Sequence, residues 1–298
     1  MTREPLTVLR AGATAGTRLA CRLLGRRAVV RLSRFVLWQA RLDGRNDPSI
    51  NGEFALQRWA VDIAPASREI HVVDVGANVG QWSEHMLTAV RDAGRLHQLD
   101  LHAFEPSSYT FKKLSSALDG HHVMLNQLAM SDEPGCATLY VVAPGAGTNS
   151  LHKQAESCAT ETVRVTTLDA YAAQTGLECI TFLKIDAEGH DFSILRGARS
   201  LFSGHRIALA QFEYNHRWIL ARTFLRDAFE YLESFGYRLG KVAKHGVEFY
   251  PGWDADLETF AEGNYVACLP AVAERLPAVA WWKPVAARGE RGRCESAS

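Results

Sequence analysis

The stretch that decides the fold is an apolar run that leads through an acid into two glycines: Val72-Val73-Asp74-Val75-Gly76-Ala77-Asn78-Val79-Gly80. A continuous run of β-branched residues is typical of a parallel strand buried on both faces. The glycines allow a tight turn near a ligand, and the helical pattern from Gln81 onward directs free N–H groups into the same space. The sequence therefore predicts a nucleotide-type cofactor site at the carboxyl end of the first strand of an open α/β sheet.

Two positions in this stretch indicate which cofactor it binds. The dinucleotide fingerprint G-x-G-x-x-G needs a central glycine, and this chain has Asn78 there. Asp74 at the strand end would repel a pyrophosphate but could pair with an ammonium group. The pattern D-x-G-x-x-x-G resembles motif I of the S-adenosylmethionine (SAM) dependent methyltransferases, which implies that the acid and the turn hold the methionine part of SAM. The alternative is a plain strand-to-helix turn.

Charge is unevenly distributed along the chain. The formal net charge is zero, but residues 1–45 contain ten arginines against Glu4 and Asp43, a net charge of +8. The remainder therefore carries −8 and lacks the positive field typical of nucleic-acid-binding proteins. The six cysteines are scattered without zinc-site spacing, as in a reduced cytosolic protein. No apolar run approaches the ~20 residues that span a bilayer. We therefore expect a cytoplasmic protein that could still associate with a membrane.

The arginine-rich region has a helical pattern. Residues 1–13 are predicted to be disordered, and a helix is predicted over 15–42. One face of that helix carries apolar side chains and another carries arginines. The apolar face comprises Val29, Leu32, Phe35 and Val36. Such a helix can lie on an anionic membrane surface. We favour the alternative, in which its apolar face packs on the body of the protein or on a second subunit.

Strand-like and helix-like segments alternate after the glycine turn. The second strand ends at Glu105-Pro106, where an acid typically accepts hydrogen bonds from ribose hydroxyls. The third strand ends near Ala129 and Ser131, where an adenine would rest. Antiparallel strands are predicted over 136–142 and 162–165. The polar loop between them is predicted to cover the pocket as a lid.

A second informative stretch also ends a buried strand in carboxylates: Ile180-Thr181-Phe182-Leu183-Lys184-Ile185-Asp186-Ala187-Glu188-Gly189-His190-Asp191. On a strand, Asp186 and Glu188 point to the same side. At the switch between the two halves of the sheet, both would face the pocket that Asp74 and Gly76 open.

With both stretches in hand, the chain resembles the FkbM family of SAM-dependent methyltransferases over about residues 70–270. The resemblance is carried by DVGANVG (74–80), FEP (104–106), NSL (149–151), TTLD (166–169), LKIDAEGH (183–190), LRGA (195–198), FE (212–213) and NY (264–265). It implies a Rossmann-like, doubly wound, seven-stranded sheet whose last strand is antiparallel. It also implies methyl transfer, typically to a hydroxyl of a sugar, glycolipid, polyketide or other secondary metabolite.

The resemblance also assigns residues to the cofactor. Asp74, Gly76, Asn78 and Gly80 would hold the methionine end of SAM, and Glu105 would hold the ribose. The neighbouring positions in these segments complete the predicted cofactor site: Ala77, Pro106, Ala129, Ser131 and Asp186.

The chemistry requires a base that removes a hydroxyl proton. His190 has an unperturbed pKa suited to this role near neutral pH, and Asp186 could serve if desolvation raised its pKa. Glu188 and Glu213 would then orient the acceptor; alternatively, Glu188 or His190 only ties the strand to the following helix. Carboxylates at strand ends, with His216, could also hold Mg²⁺, but the spacing does not require a metal and none is predicted.

Three domains are predicted: a basic helical extension (1–66), the SAM-dependent methyltransferase domain with a small β insertion (67–270), and an extended tail (271–298). One long helix is expected over 218–235.

Three other functions compete with methyl transfer. Asn78 and Asp74 argue against an NAD-dependent oxidoreductase, and the ionisable groups around Asp186 argue against a non-catalytic SAM-binding protein. The acidic body argues against an RNA methyltransferase. The sequence has no readable signature for the acceptor.

Overall fold

The computed structural model of the protein describes residues 4–43, 47–143, 147–154 and 159–283. The chain divides into two compact units, residues 1–45 and 46–298. The division falls before the predicted boundary at residue 66, because the helix over 53–63 belongs to the larger unit. Each unit is described separately below.

The smaller unit consists of two helices, α1 (Glu4–Leu24) and α2 (Arg26–Ala40). The prediction of one helix over 15–42 preceded by disorder was wrong on both counts. Helix α1 already begins at Glu4. Gly25 separates the helices with φ of +80°, a backbone conformation that the helical periodicity of the flanking residues did not indicate.

The larger unit contains the remaining elements. Its helices are α3 (Glu53–Ile63), α4 (Gln81–Asp92), α5 (Ser108–Ala117), α6 (Leu168–Thr175), α7 (Asp191–Arg196), α8 (Arg199–Ser203), α9 (Trp218–Ala221), α10 (Leu225–Glu233) and α11 (Pro270–Ala273). Its strands are β1 (Ile70–Val75), β2 (Leu99–Phe104), β3 (Val123–Asn126), β4 (Ala129–Met130), β5 (Gly135–Val141), β6 (Ala159–Thr166), β7 (Ile180–Ile185), β8 (Ile207–Tyr214), β9 (Arg238–Ala243), β10 (Gly246–Phe249), β11 (Gly263–Cys268) and β12 (Ala278–Val279).

The main sheet has the order β3-β2-β1-β7-β8-β11-β9-β10-β12. Its first five strands are parallel, and β11 runs antiparallel to both of its neighbours. The predicted seven-stranded arrangement is therefore confirmed from β3 to β9, including its antiparallel last strand. The short strands β10 and β12 extend the sheet beyond that prediction.

The C-terminal region differs from the extended tail expected over 271–298. Helix α11 ends at Ala273, and β12 pairs with Val247 and Glu248 of β10. Residues 284–298 lie outside the described part of the chain. The two residues of β12 carry too little pattern to be recognised as a strand from sequence alone.

Alternating residues of the central strands face two separate apolar cores. On one face, Val73 of β1 and Leu183 of β7 pack with the helices from α6 to α10. On the other face, Val72 and Phe182 pack with α3, α4 and α5. All of these side chains are fully buried, which explains why both strands read as continuous apolar runs.

The predicted β insertion forms a second sheet of order β4-β6-β5. Strands β5 and β6 are antiparallel, as expected, and β4 adds in parallel to β6. Ala129, Leu139 and Val163 form a small core of its own.

The single helix predicted over 218–235 is two helices, α9 and α10. Arg222 has φ of +56°, which ends α9. The backbone N–H of Phe224 donates to the Asp227 carboxylate at 2.8 Å, which caps the start of α10. The apolar periodicity continues across this break and so did not reveal it.

Gly76 lets the turn after β1 pass close to the end of β7. The backbone N–H groups of Gly76 and Ala77 both donate to the Phe104 carbonyl at the end of β2, at 3.0 and 2.9 Å. Gly76 has φ of +81°, and a Cβ atom there would overlap the Asp186 carbonyl oxygen. The glycine is therefore required by the contact between two strand ends, in addition to its backbone conformation.

Gly76 is required by its backbone conformation and by its contact with the end of β7. Comparing Gly76→Ala with Gly176→Ala separates these two requirements. Gly176 has a similar φ of +75°, but a Cβ atom there meets nothing within 4 Å. We expect Gly176→Ala to cost about 1–2 kcal/mol from backbone strain alone. Gly76→Ala should cost roughly 1–3 kcal/mol more, because the added methyl overpacks the strand ends. Urea unfolding of both variants measures the difference, and equal losses would contradict the proposed contact.

Candidate active site

A cavity opens at the carboxyl edge of the sheet, between the ends of β1, β2 and β7 and the insertion. Six residues of its wall belong to the sequence motifs described above: Gly76, Asn78, Glu105, Asp186, Glu188 and His190. All six were predicted cofactor or catalytic residues from three separate parts of the sequence, and His190 or Asp186 was the predicted base. The fold brings them to one cavity because the strands that precede them are neighbours.

Glu105 joins the glycine turn to the end of β2. One carboxylate oxygen accepts the backbone N–H of Asn78 at 3.2 Å, and the other accepts that of Ser107 at 2.9 Å. Burial raises the pKa of Glu105 to about 7. The group lines the cavity where a ribose was predicted, and Pro106 lines it beside Glu105.

Asp74 lies behind the cavity wall and is fully buried. Its carboxylate accepts the Ser83 hydroxyl at 2.7 Å and lies 3.4 Å from the Lys184 ammonium. Lys184 also lies 3.3 Å from the Asp186 carboxylate, which does face the cavity. Asp74 thus reaches the cavity through Lys184 and Asp186. The sequence prediction placed Asp74 in direct contact with the cofactor and did not include the Lys184 ammonium.

Lys184 is the centre of a charged network. Burial alone would lower the pKa of its ammonium, but Asp74, Asp186 and Glu53 outweigh that effect and raise it. Glu53 comes from α3, and burial raises its pKa to about 7. The Gln211 amide donates to Glu53 at 2.7 Å and to Asn264 at 2.9 Å. Sequence reasoning gave no role to Lys184, although it lies in the quoted LKIDAEGH stretch. It missed Glu53 and Gln211 because no local motif links them to that stretch.

The structure divides the other predicted carboxylates into two groups. Asp186 and Glu188 line the cavity, but not through the predicted strand alternation, because β7 ends at Ile185 and Glu188 lies in the turn that follows. Glu213 is buried at the end of β8 outside that wall, and it accepts the Asn215 amide at 2.6 Å. Burial raises the pKa of Glu213. Asp191 is also fully buried, and it accepts the backbone N–H groups of Gly189 and Glu213 at 3.2 and 3.3 Å.

Glu188 has an unusual backbone and an unusual pKa. Its φ is +54°, a conformation that costs a residue other than glycine free energy and is concentrated at functional sites. Burial, reinforced by Asp186, raises the pKa of its carboxyl to about 8. Arg217 lies 2.8 Å from one carboxylate oxygen and fixes the position of the side chain.

His190 is held by hydrogen bonds at both ring nitrogens. Nε2 lies 2.8 Å from the Ser131 hydroxyl, and Nδ1 lies 3.1 Å from Nε2 of His152. Burial, reinforced by His152, lowers the pKa of His190 to about 4. The imidazole is therefore neutral near pH 7. His152 belongs to the loop expected to act as a lid, and sequence reasoning did not select it.

Part of that loop contributes to the cavity wall. Gly147, Asn149, Ser150 and Leu151 line the cavity. The buried hydroxyl of Ser150 donates to the Glu188 carbonyl at 2.8 Å. Residues 144–146 and 155–158 of the predicted lid lie outside the described residues.

The remaining predicted cofactor residues lie around this cavity. Ala129 lines it together with Leu128 and Met130, which give the far end an apolar surface. Ser131 contacts His190 instead. Ala77 is buried in the turn, and Gly80 precedes α4 with φ of +96°.

The described residues contain neither a cluster of metal ligands nor a membrane-spanning helix. Among the described residues, no three His, Cys, Asp or Glu side chains are grouped so as to hold a metal ion. His216, named above as a possible Mg²⁺ ligand, is exposed. None of the helices in the described ranges combines the length and the apolar character needed to cross a membrane.

Comparison with protein families decides the identity of the domain. The model of the methyltransferase FkbM domain matches residues 74–239, more than half of the chain. The chain belongs to the FkbM methyltransferase family. The resemblance drawn from the sequence motifs is thereby confirmed, and the larger unit is a SAM-dependent methyltransferase. No curated protein matches the chain.

Several solved structures are similar to this chain. A precorrin-6y methyltransferase from Geobacter metallireducens has 12% identity over 72% of this chain and 87% of its own, with a TM-score of 0.37. The kinase-methyltransferase WbdD has 10% identity over 78% of this chain and 41% of its own (TM-score 0.39). Aeropyrum pernix fibrillarin with bound SAM has 11% identity over 72% and 74% (TM-score 0.36). These distant likenesses support no inference about the acceptor.

The charged network makes Lys184 a stability determinant of the FkbM domain. Lys184→Met leaves Asp74 and Asp186 without their counter-ion, and we expect the free energy of unfolding to fall by roughly 3–5 kcal/mol. The exposed Lys112 provides a matched control, since Lys112→Met should change stability by less than about 0.5 kcal/mol. Urea denaturation measures both values. A Lys184→Met variant as stable as the control would disprove the pairing.

Proposed function

We propose that the FkbM domain transfers a methyl group from SAM to a hydroxyl oxygen of a small molecule, such as a sugar, a glycolipid, a polyketide or another secondary metabolite. One observation carries the proposal. The cavity that contains the glycine turn also contains Glu188, a buried carboxylate with a pKa of about 8. A base of that strength suits the removal of a hydroxyl proton near neutral pH.

The residues of the cavity fit SAM. The side-chain oxygen Oδ1 of Asn78 is buried and has no hydrogen-bond partner among the described groups, so a donor on the ligand would satisfy it. Glu105 offers carboxylate oxygens to hydroxyl groups, and Leu128 and Met130 offer an apolar surface to a flat ring. This combination of polar and apolar groups in one cavity supports a ligand with an amino-acid end, a ribose and a base.

The chain has two tasks in the proposed reaction. When bound, SAM supplies an electrophilic methyl group on a sulfonium leaving group. The protein must align the acceptor oxygen and accept its proton. Glu188 accepts that proton, and Arg217 keeps the carboxylate in place as its charge changes. Asp186, held by Lys184, presents a second carboxylate that can orient the acceptor hydroxyl.

This assignment revises the choice of base that the sequence suggested. His190 has a pKa of about 4, and both of its ring nitrogens already have partners. It therefore binds a proton weakly near pH 7. Asp186 lies 3.3 Å from the Lys184 ammonium, which holds its carboxylate in the position proposed to orient the acceptor. Burial raises the pKa of two carboxyls in the wall, Glu105 to about 7 and Glu188 to about 8. Both oxygens of Glu105 already accept backbone N–H groups, so Glu188 is the proposed base.

Substituting Glu188 tests its role. We expect Glu188→Gln to lower kcat by about 10²–10⁴-fold, the usual contribution of a general base, while SAM binding is retained. The assay measures S-adenosylhomocysteine released from SAM in the presence of a panel of hydroxylated sugars, glycolipids and polyketides.

Two variants serve as comparisons. Glu233 lies outside the cavity and also has a pKa raised by burial, so Glu233→Gln should keep full activity. His190→Ala should lose less activity than Glu188→Gln. The reverse order would assign the base to His190. SAM binding without turnover on any acceptor would instead favour a non-catalytic SAM-binding protein.

The pH dependence of kcat distinguishes the same alternatives independently. A base must be deprotonated, and the pKa of Glu188 is about 8. At saturating SAM and acceptor, kcat should rise about tenfold per pH unit below pH 8 and level off above it. A base with the pKa of His190, about 4, would give a flat profile above pH 5 to 6. The measured profile from pH 5 to 10 decides between them.

A further inference from the structure

The helix α2 of the smaller unit exposes apolar side chains that a folded protein normally covers. None of its residues is buried. Leu32, Phe35 and Val36 lie on one face and are 57, 58 and 57% exposed. Leu19, Leu23 and Leu24 at the end of α1 are exposed as well. Contiguous exposed apolar groups of this size mark a surface that binds something.

The charge of the same helix narrows the choice of partner. Arg27, Arg31 and Arg34 lie on another face of α2, and the first 45 residues carry a net charge of +8. A partner that fits both faces offers negative charge at its surface and apolar material just beneath it. An anionic lipid bilayer has this layered chemistry.

Other partners fit only one of the two features. RNA would neutralise the arginines but leave Leu32, Phe35 and Val36 in water. A second copy of the chain would cover apolar surface but bring two sets of ten arginines together. Of RNA, a second copy and an anionic membrane surface, the membrane uses both features at once.

We propose that α2 binds the surface of membranes that contain anionic lipid, with its axis in the plane of the surface and Leu32, Phe35 and Val36 below the headgroups. The arginines then lie at the level of the lipid phosphates. This inference concerns the smaller unit and does not depend on the proposed methyl acceptor.

Sedimentation of the full chain with vesicles tests the proposal. Vesicles of phosphatidylcholine alone are compared with vesicles that also contain phosphatidylglycerol, each at low and high salt. We expect binding to the anionic vesicles that weakens with salt. Neutralising Arg27, Arg31 and Arg34 to glutamine should weaken binding roughly a hundredfold, since each cation near an anionic surface contributes about fivefold. Changing Leu32, Phe35 and Val36 to serine should weaken it at least about tenfold.

A matched control removes the same charge elsewhere. Arg91, Lys112 and Lys113 are exposed on the larger unit, and their replacement by glutamine should leave vesicle binding unchanged. Unchanged calorimetric titration with SAM shows that the larger unit remains folded, and an unchanged far-UV circular dichroism spectrum shows that the variants keep α1 and α2 helical. Equal binding to both vesicle types, or none, would overturn the proposal. So would salt-dependent RNA binding without vesicle binding, or a dimer that dissociates in the serine variant while vesicles are ignored.

Discussion

The ammonium of Lys184, buried between the carboxylates of Asp74 and Asp186, is the interaction on which the active-site edge depends. It joins β1 to β7, the two strands at the centre of the parallel part of the sheet. Two carboxylates this close would repel each other in an apolar interior without a cation between them. The ammonium therefore fixes both strand ends and directs Asp186 into the cavity. Its position also explains why Asp74 is fully buried although it belongs to the cofactor motif.

The network also divides the work among the carboxylates of the site. Asp74 and Asp191 are buried, and they hold backbone and side-chain donors behind the cavity wall. Glu105 ties the turn to β2 and still faces the cavity. Glu188, with a raised pKa and a constrained backbone, is the carboxylate that we propose for proton transfer. Similar side chains thus serve structure or chemistry according to how much water and how many donors surround them.

The sequence predicted those features that are encoded locally. Each strand that ends at the site carries its own signal, an apolar run followed by Asp74-Val75-Gly76, Glu105-Pro106 or Asp186-Ala187-Glu188. The seven-stranded sheet with an antiparallel last strand followed from the family resemblance. The sequence could not predict contacts that only the fold creates. Glu53 and Gln211 lie 158 positions apart, and His152 reaches His190 from a loop. The base proposed from the structure differs from the one that the sequence favoured, because burial reverses the expected pKa order of a histidine and a glutamate.

The central claim is that this edge of the sheet holds SAM. Calorimetric titration of the full chain with SAM, S-adenosylhomocysteine and NAD tests it most directly. The account predicts that both adenosyl compounds bind at one site and compete. It also predicts that NAD does not bind, because Asn78 replaces the central glycine that a pyrophosphate needs. Binding of NAD, or failure of both adenosyl compounds to bind a folded protein, would contradict the account.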